Sequence, residues 1–218
     1  IFGVLVCLFV LILIQYLERT PRAKLSAADA PKGVVRWDFV IPKESSFLNR
    51  SDLLIQIASG FRKHTAGIQT VALVGLGGSG KTTLARQYAR LQKNPVAWEL
   101  NAETKESLMG SMEALAYALS ETLEEKKNIK KLQDIKNPQE REEKLIQLVK
   151  LFLKTRRNWL LVYDNVEKFG DIEKFFPCDP SWGKGNVIIT TRDSNIQNNN
   201  HVNSAIQVGE LSAKDKLD

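Results

Sequence analysis

The sequence holds few of the residues that build metal clusters or disulfide frameworks. It has two cysteines and two histidines in 218 residues. Cys7 lies in an apolar run and Cys178 in a segment of loop-like composition, and neither has a second cysteine at metal-ligand spacing. His64 and His201 are isolated from each other. This scarcity argues against a cysteine-based metal site or a disulfide scaffold and predicts incidental or structural roles for both cysteines.

Long runs of one charge are also missing. The chain has 31 basic and 25 acidic residues, a net charge of +6, and no block of five like charges. Its densest charged runs, "EEKK" at 124–127 and "REEK" at 141–144, mix the two signs as exposed helix faces do. No basic stripe with interleaved aromatic residues is present, which is the pattern typical of a nucleic-acid interface. We therefore expect a mixed-charge surface and no nucleic-acid partner.

The first 17 residues carry no charge and are nearly all apolar. A membrane-spanning helix needs roughly 20 such residues, with a range that starts near 17, and we predict a transmembrane helix at 1–17. Arg19, Arg22 and Lys24 follow it against one acid, Glu18. By the positive-inside rule the rest of the chain is then cytoplasmic. A cleaved signal peptide is the alternative, although its basic residues would precede the apolar run.

Apolar, strand-like segments alternate with amphipathic helices over the middle of the chain. The five predicted strands are 70–75, 95–100, 159–164, 186–191 and 205–208. This alternation is typical of an α/β domain with a mainly parallel sheet flanked by helices. We predict this domain at 46–210, after a juxtamembrane linker at 18–45. Residues 211–218 are predicted to start a truncated helical subdomain, because Ser212 and Asp215 form a capping-box pattern.

Two of the helices and two of the tryptophans allow specific predictions. Apolar residues at helical spacing predict one helix with its buried face at Leu108, Met112, Leu115, Leu119 and Leu123. Another helix is predicted to begin at Pro138 with Asn137 as its N-cap. Trp98 and Trp159 lie on predicted strands and are expected in the core.

A glycine-rich loop follows the first strand in the string "VALVGLGGSGKTTLARQYA", residues 71–89. Its residues 75–82 match the P-loop pattern G-x-x-x-x-G-K-[S/T]. Glycines let backbone N–H groups approach phosphate oxygens, and a helix N-terminus favours bound anions. The candidate nucleotide-binding residues here are Gly75, Gly77, Gly78, Ser79, Gly80, Lys81, Thr82 and Thr83. Lys81 would contact the β and γ phosphates and Thr82 would ligate Mg²⁺, so ATP or ADP with Mg²⁺ is the predicted cofactor.

Two further candidates follow later strands. Asp164 ends the apolar run 159–163 and is predicted to hold the Mg²⁺ shell. Asn165 comes next, where many P-loop ATPases that do mechanical work have a second acid; its neutral amide cannot take a proton from water, which indicates slow hydrolysis. Arg192 ends "IITTR" at the same edge of the predicted sheet, where a guanidinium can read whether a γ-phosphate is present. Lys81, Asp164 and Arg192 are the predicted catalytic residues.

Together these segments resemble the NB-ARC branch of the STAND signalling NTPases, a P-loop family. The matching strings are "VALVGLGGSGKTTLA", "VAWELNAET", "WLLVYDNVE" and "GNVIITTRD". "IPKESSFLNR" is similar to the family segment that cradles adenine, which implies an adenine contact for Arg50. Asn49 stands where the family usually has glycine, and asparagine tolerates the left-handed backbone better than most residues.

The resemblance implies a nucleotide-controlled switch. In the family, bound nucleotide controls a closed-to-open transition and the open form oligomerises. We therefore expect weak ATPase activity, self-association through the nucleotide-binding domain and a protein partner for a downstream region. Bacterial relatives with "DN" after the strand often carry tetratricopeptide repeats downstream. Two alternatives stay open, an AAA-like ATPase that remodels its target and an interaction scaffold whose nucleotide is structural.

Overall fold

A six-stranded sheet runs through the part of the chain that the computed structural model describes, residues 33–40, 50–62 and 67–210. The strands are β1 Val35–Arg36, β2 Gln69–Val74, β3 Val96–Asn101, β4 Arg157–Val166, β5 Lys184–Thr191 and β6 Ser204–Gln207. They pair in the order β1-β3-β4-β5-β2-β6, and every pairing is parallel. The predicted α/β class with a mainly parallel sheet is confirmed.

The sheet has one strand more than the five predicted. The extra strand, β1, is a two-residue edge strand in which Val35 pairs with Val96 of β3. It lies inside the range 18–45 that the sequence assigns to a linker. Two residues are too few to show a periodic pattern, so only their pairing with β3 identifies them as a strand.

Helices cover both faces of the sheet. They are α1 Ser51–Arg62, α2 Lys81–Leu91, α3 Lys105–Leu119, α4 Leu123–Lys131, α5 Pro138–Lys154 and the short α6 Phe169–Ile172. One core joins α1 and α2 to the sheet and includes Ile57 and Leu84, with Leu73 from β2. The other core joins α3 and α5 to the opposite face and includes Met112 and Val149. Since both faces are covered, all six residues of β2 are buried.

The long helix predicted to run through Leu123 is in fact two helices. Helix α3 ends at Leu119 because Ser120 has an extended backbone, with φ −70° and ψ 133°. Thr122 and Glu125 then form a reciprocal capping box that starts α4. Leu123 is 78% exposed and does not continue the buried face of α3. The other predicted helix start, α5 at Pro138 with an asparagine N-cap, is confirmed.

Strand β1 braces the end of α2, the helix that follows the glycine loop. The guanidinium of Arg36 donates to the carbonyl oxygen of Ala89 at 2.7 Å, and to those of Gln92 at 2.8 Å and Asn94 at 3.1 Å. The last carbonyls of a helix have no partner within the helix, and a cation near them is stabilising. The edge strand therefore helps to fix the position of α2.

A tryptophan on β4 lies directly against a glycine on β5. Trp159 is fully buried, and its Nε1 donates to the carbonyl oxygen of Trp182 at 3.2 Å. Gly185 pairs with Trp159, and a Cβ at this glycine would overlap the indole ring. Trp98 on β3 is also buried. The prediction that Trp98 and Trp159 belong to the core is confirmed.

Several predictions concern residues outside the described part of the chain. They are the membrane helix at 1–17, most of the linker at 18–45, the segment around Asn49, His64 and the subdomain start at 211–218. None of the helices in the described ranges has both the length and the apolar character of a membrane span. The predicted domain boundaries stay predictions.

Candidate functional site

The glycine loop joins the end of β2 to the start of α2 at the carboxyl edge of the sheet. Gly78 and Gly80 have φ angles of 78° and 87°, a conformation that residues with side chains rarely adopt. A Cβ on Gly75 would overlap the carbonyl oxygen of Val208, just beyond β6. Glycine is therefore required at these three positions, twice by the backbone conformation and once by a neighbouring segment.

Lys81, the first residue of α2, is held against the loop. It is 9% exposed, and its Nζ donates to the carbonyl oxygens of Gly75 at 2.9 Å and Leu76 at 2.8 Å. Burial and, second, the charge of Arg192 lower the pKa of Lys81, while Asp164 acts in the opposite direction. An ammonium group has three donors, so one remains for an anion in the loop.

Arg192 borders the loop from the end of β5. An ideal Cβ on Gly77 would lie 3.3 Å from the guanidinium carbon of Arg192. The preceding residue, Thr191, accepts a hydrogen bond from the Gly75 backbone N–H at 3.2 Å, which joins the strand end to the loop. Two cations, Lys81 and Arg192, thus border the same glycine loop. Their mutual repulsion favours the binding of an anion there.

The carboxylate of Asp164 on β4 accepts hydrogen bonds from two threonines. Its Oδ1 is 2.7 Å from Oγ1 of Thr82 and 2.6 Å from Oγ1 of Thr190. Hydroxyl groups from helix α2 and strand β5 therefore donate to the same carboxylate oxygen on strand β4. Because the Thr82 hydroxyl donates its hydrogen bond to Asp164, the lone pairs of its oxygen stay available to a metal ion. Oxygen ligands of this kind are those that Mg²⁺ prefers.

Asn165, the residue after Asp164, has a left-handed backbone with φ 63°. Asparagine adopts this conformation more readily than most residues. The Asn165 backbone N–H donates to Oγ1 of Thr190 at 2.9 Å, and the residue itself is exposed. Its amide can orient a water molecule but cannot accept a proton from it.

Arg50, directly before α1, joins the glycine loop to the segment that follows β6. It is 6% exposed, and its guanidinium donates to the carbonyl oxygens of Ser79 at 3.3 Å and Gly209 at 3.1 Å. The structure therefore gives Arg50 a bracing contact that the sequence did not indicate. The adenine contact implied by the resemblance stays a prediction.

The loop fits the phosphate chain of a nucleotide with Mg²⁺. Within the described ranges, the buried Oγ of Ser79 has no hydrogen-bond partner, and an orphaned polar atom of this kind calls for an explanation. The loop also offers glycine backbone, the Lys81 ammonium and the paired oxygens of Thr82 and Asp164. Thr83, the remaining candidate, is half-buried in the first turn of α2. A phosphate group would find donors and a cation here, and Mg²⁺ would find oxygen ligands.

Sequence reasoning missed two features of this edge. The sequence shows Thr190 only as part of the string "IITTR", whereas in the structure its hydroxyl contacts two consecutive residues of β4. Arg86 of α2 makes a bidentate ion pair with Glu99 of β3, with both N–O distances 2.6 Å. Hydrogen bonding to Glu99 is the main cause that raises the pKa of Arg86, and Asp164 adds to it. The signal was available, since Glu99 is an acid inside a strand expected to be buried.

Comparison with known proteins agrees with the motifs. The family profile of the NB-ARC domain matches residues 53–218. No curated protein matches the chain. Among solved structures, a signal transduction ATPase with numerous domains (STAND) protein with a tetratricopeptide repeat sensor, from Pyrococcus horikoshii, aligns at a TM-score of 0.45 and 17% identity. That alignment covers 81% of this chain and 26% of the archaeal chain, so the present chain spans a small part of its length.

The family match covers most of the chain and includes the glycine loop, the strand β4 that carries Asp164, and Arg192. It confirms the resemblance that the motifs indicated. The chain belongs to the NB-ARC domain family.

Proposed function

We propose that this NB-ARC domain is the ATP/ADP switch of a membrane-anchored signalling protein and that it hydrolyses ATP slowly with Mg²⁺. Family membership implies a nucleotide-binding, switch-like function. The observation that carries the proposal is the meeting of Lys81, Arg192 and the Thr82–Asp164 pair at one glycine loop. The identity of the nucleotide, the slow rate and the membrane location go beyond what the family implies.

Each residue has a separate task in this proposal. Lys81 and the loop N–H groups bind the β and γ phosphates. The Thr82 hydroxyl oxygen and the Asp164 carboxylate hold Mg²⁺, which neutralises phosphate charge when bound. Arg192 contacts the γ-phosphate, so only ATP engages it fully. Because Arg192 directly follows β5, its contact with a γ-phosphate links the nucleotide state to the position of the strand.

Slow turnover follows from the residue beside Asp164. A general base must accept a proton from the attacking water, and the amide of Asn165 has no such capacity. ATP then stays bound for a long time before it is hydrolysed, which suits a signalling state better than an energy source. In this proposal the ATP-bound form self-associates through the nucleotide-binding domain, and a downstream region contacts a protein partner. Tetratricopeptide repeats in that region stay a prediction from the resemblance.

Purification of the full chain from detergent-solubilised membranes, without added nucleotide, tests the proposal. The protein is denatured, the released nucleotide is identified, and ATP turnover is measured on a parallel sample. We expect bound ADP and fewer than about one turnover per minute, against about 10 per second for a typical enzyme. An empty site with fast hydrolysis would indicate an ATPase that does mechanical work. Bound nucleotide without any change in assembly between ATP and ADP would indicate a scaffold.

The membrane location rests on the uncharged residues 1–17 and the basic residues that follow them. The same preparation tests it through alkaline extraction of the membranes and mass spectrometry of the N-terminus. An extraction-resistant protein that retains residues 1–17 supports the anchor. A protein that has lost these residues would identify them as a cleaved signal peptide.

Replacing Arg192 with alanine is expected to weaken ATP binding about tenfold and to change ADP binding less than about twofold. A hydrogen bond to a charged group contributes about 1.5–3 kcal/mol, and 1.4 kcal/mol corresponds to a factor of ten in Kd. Competition against a fluorescent nucleotide measures both affinities. Arg157→Ala is the matched control, since Arg157 is an exposed arginine at the amino end of β4. An equal loss for ATP and ADP would refute a γ-phosphate contact.

A further inference from the structure

Thr190 is a buried hydroxyl residue that directly follows the apolar residues 187–189 of β5. It is 1% exposed, and a valine of the same shape would fill the same space. Its hydroxyl accepts a hydrogen bond from the Asn165 backbone N–H at 2.9 Å and donates one to Asp164 Oδ1 at 2.6 Å. The hydroxyl therefore uses its one donor and one of its two acceptor lone pairs on two consecutive residues of β4.

Those two residues form a β-bulge. The register of β4 against β5 shifts between Tyr163 and Val166, so that Asp164 and Asn165 together oppose the single residue Thr190. A bulge bends its strand and re-aims the side chains within it. The left-handed backbone of Asn165 belongs to this bulge and turns its N–H toward the Thr190 hydroxyl.

We propose that Thr190 is a positioning residue for the metal site. Its hydroxyl fixes the bulge and holds Asp164 Oδ1, so that Oδ2 is presented to the Mg²⁺ shell beside Thr82. This inference rests on the proposed function, because it concerns binding of nucleotide with Mg²⁺. Within the described part of the chain, both hydrogen bonds to the Asp164 carboxylate fall on Oδ1.

The position of Thr190 adds a second consequence. Thr190 lies on β5 two residues before Arg192, which directly follows the strand, so the hydrogen bond from Thr190 to Asp164 also fixes Asp164 relative to Arg192. A shift of Asp164 that follows loss of the hydroxyl would alter the metal site first. The loop groups that would bind the phosphates do not contact Thr190. Loss of the Thr190 hydroxyl should therefore leave the affinity for nucleotide without metal unchanged.

The test measures how nucleotide affinity depends on Mg²⁺ in the full chain. Wild type, Thr190→Val and Thr190→Ser are titrated with a fluorescent ADP analogue, first in EDTA and then at increasing Mg²⁺. Substitution of a residue that hydrogen-bonds to a metal ligand typically weakens metal binding by about 10–100-fold. Thr190→Val is therefore expected to raise the half-saturating Mg²⁺ concentration about tenfold. Its affinity in EDTA should stay within about twofold of wild type. Thr190→Ser keeps the hydroxyl and should restore the Mg²⁺ dependence.

Thr191→Val is the matched control. Thr191 is also buried, but its hydroxyl accepts from the Asp193 backbone N–H at 2.9 Å and does not contact Asp164 in the structure. The same Mg²⁺ shift in Thr190→Val and Thr191→Val, or no shift in Thr190→Val, would overturn the inference and leave the proposed function standing. A wild type that binds no nucleotide would overturn both. If Thr190→Val does not fold, Thr190→Ser against Thr190→Ala isolates the hydroxyl at equal loss of the methyl group.

Discussion

Replacing Lys81 with alanine is expected to weaken the binding of both ATP and ADP by about a hundredfold. The Lys81 ammonium is held over the glycine loop by two backbone carbonyls, so its position is fixed before a phosphate arrives. Hydrogen bonds to charged groups contribute about 1.5–3 kcal/mol, and about 2.7 kcal/mol corresponds to a hundredfold change in Kd. For ADP, the loss of affinity is larger in Lys81→Ala than in Arg192→Ala, because the lysine contacts a phosphate that both nucleotides carry. Titration with a fluorescent nucleotide measures it.

The same substitution is expected to leave the nucleotide-free protein as stable as wild type. Burial and Arg192 both disfavour the charged form of Lys81, which is why its pKa is lowered. Removing the charge relieves both effects and offsets the lost contacts. Thermal unfolding with and without ADP checks this: the two proteins should have similar Tm values without nucleotide, and ADP should raise the Tm of wild type far more than that of Lys81→Ala. Lys93→Ala, an exposed lysine just beyond α2, should behave like wild type; tight ADP binding by Lys81→Ala would contradict the assignment.

Replacing Gly185 with alanine is expected to destabilise the fold by about 3 kcal/mol. The added Cβ would overlap the indole of Trp159, and the ring has no free direction in which to move because it is fully buried and hydrogen-bonded to Trp182. Overpacking of a filled core usually costs about 1–3 kcal/mol and occasionally more. For a chain of this length 1 kcal/mol shifts the Tm by about 2–4 °C. Calorimetry should therefore show a Tm lower by about 10 °C.

Gly110→Ala is the control for that prediction. Gly110 is exposed within α3, and a Cβ there would meet no atom within 4 Å. Alanine is the better helix former by about 0.8–1 kcal/mol, so this substitution should raise the Tm by a few degrees. Similar Tm values for the two variants would show that the Trp159 ring yields to the extra methyl group.

The parts of the site that the sequence predicted are those encoded by contiguous residues. The first strand, the loop at 75–82 and the acid at Asp164 each follow from local composition and from what must precede or follow a glycine loop. The parallel sheet then brings strand ends to one edge without further information. Arg192 therefore lies at the edge that its position after an apolar run predicts.

The missed features depend on pairing between distant residues. Whether Thr190 opposes one residue of β4 or two depends on the register of β4 and β5, and a bulge leaves no periodic trace in either strand. The contact of Arg50 with Gly209 spans 159 positions. The division between α3 and α4 had a local signal, the Thr122–Glu125 box, that competed with an uninterrupted apolar spacing. The capping box, and not the apolar spacing, determines where α4 begins.

The place of β2 between β5 and β6 has a consequence for synthesis of the chain. Val71 pairs with Ile188 on one side and Ser204 on the other, so the strand that leads into the glycine loop is made well before either of its neighbours. At about 5–20 residues per second on the ribosome, this apolar strand waits on the order of ten seconds with both edges unpaired. Unpaired edges of this kind invite aggregation and chaperone binding. Nucleotide can therefore stabilise this domain only after β5 and β6 have been made, so cellular ATP acts late in the folding of the domain and not at its start.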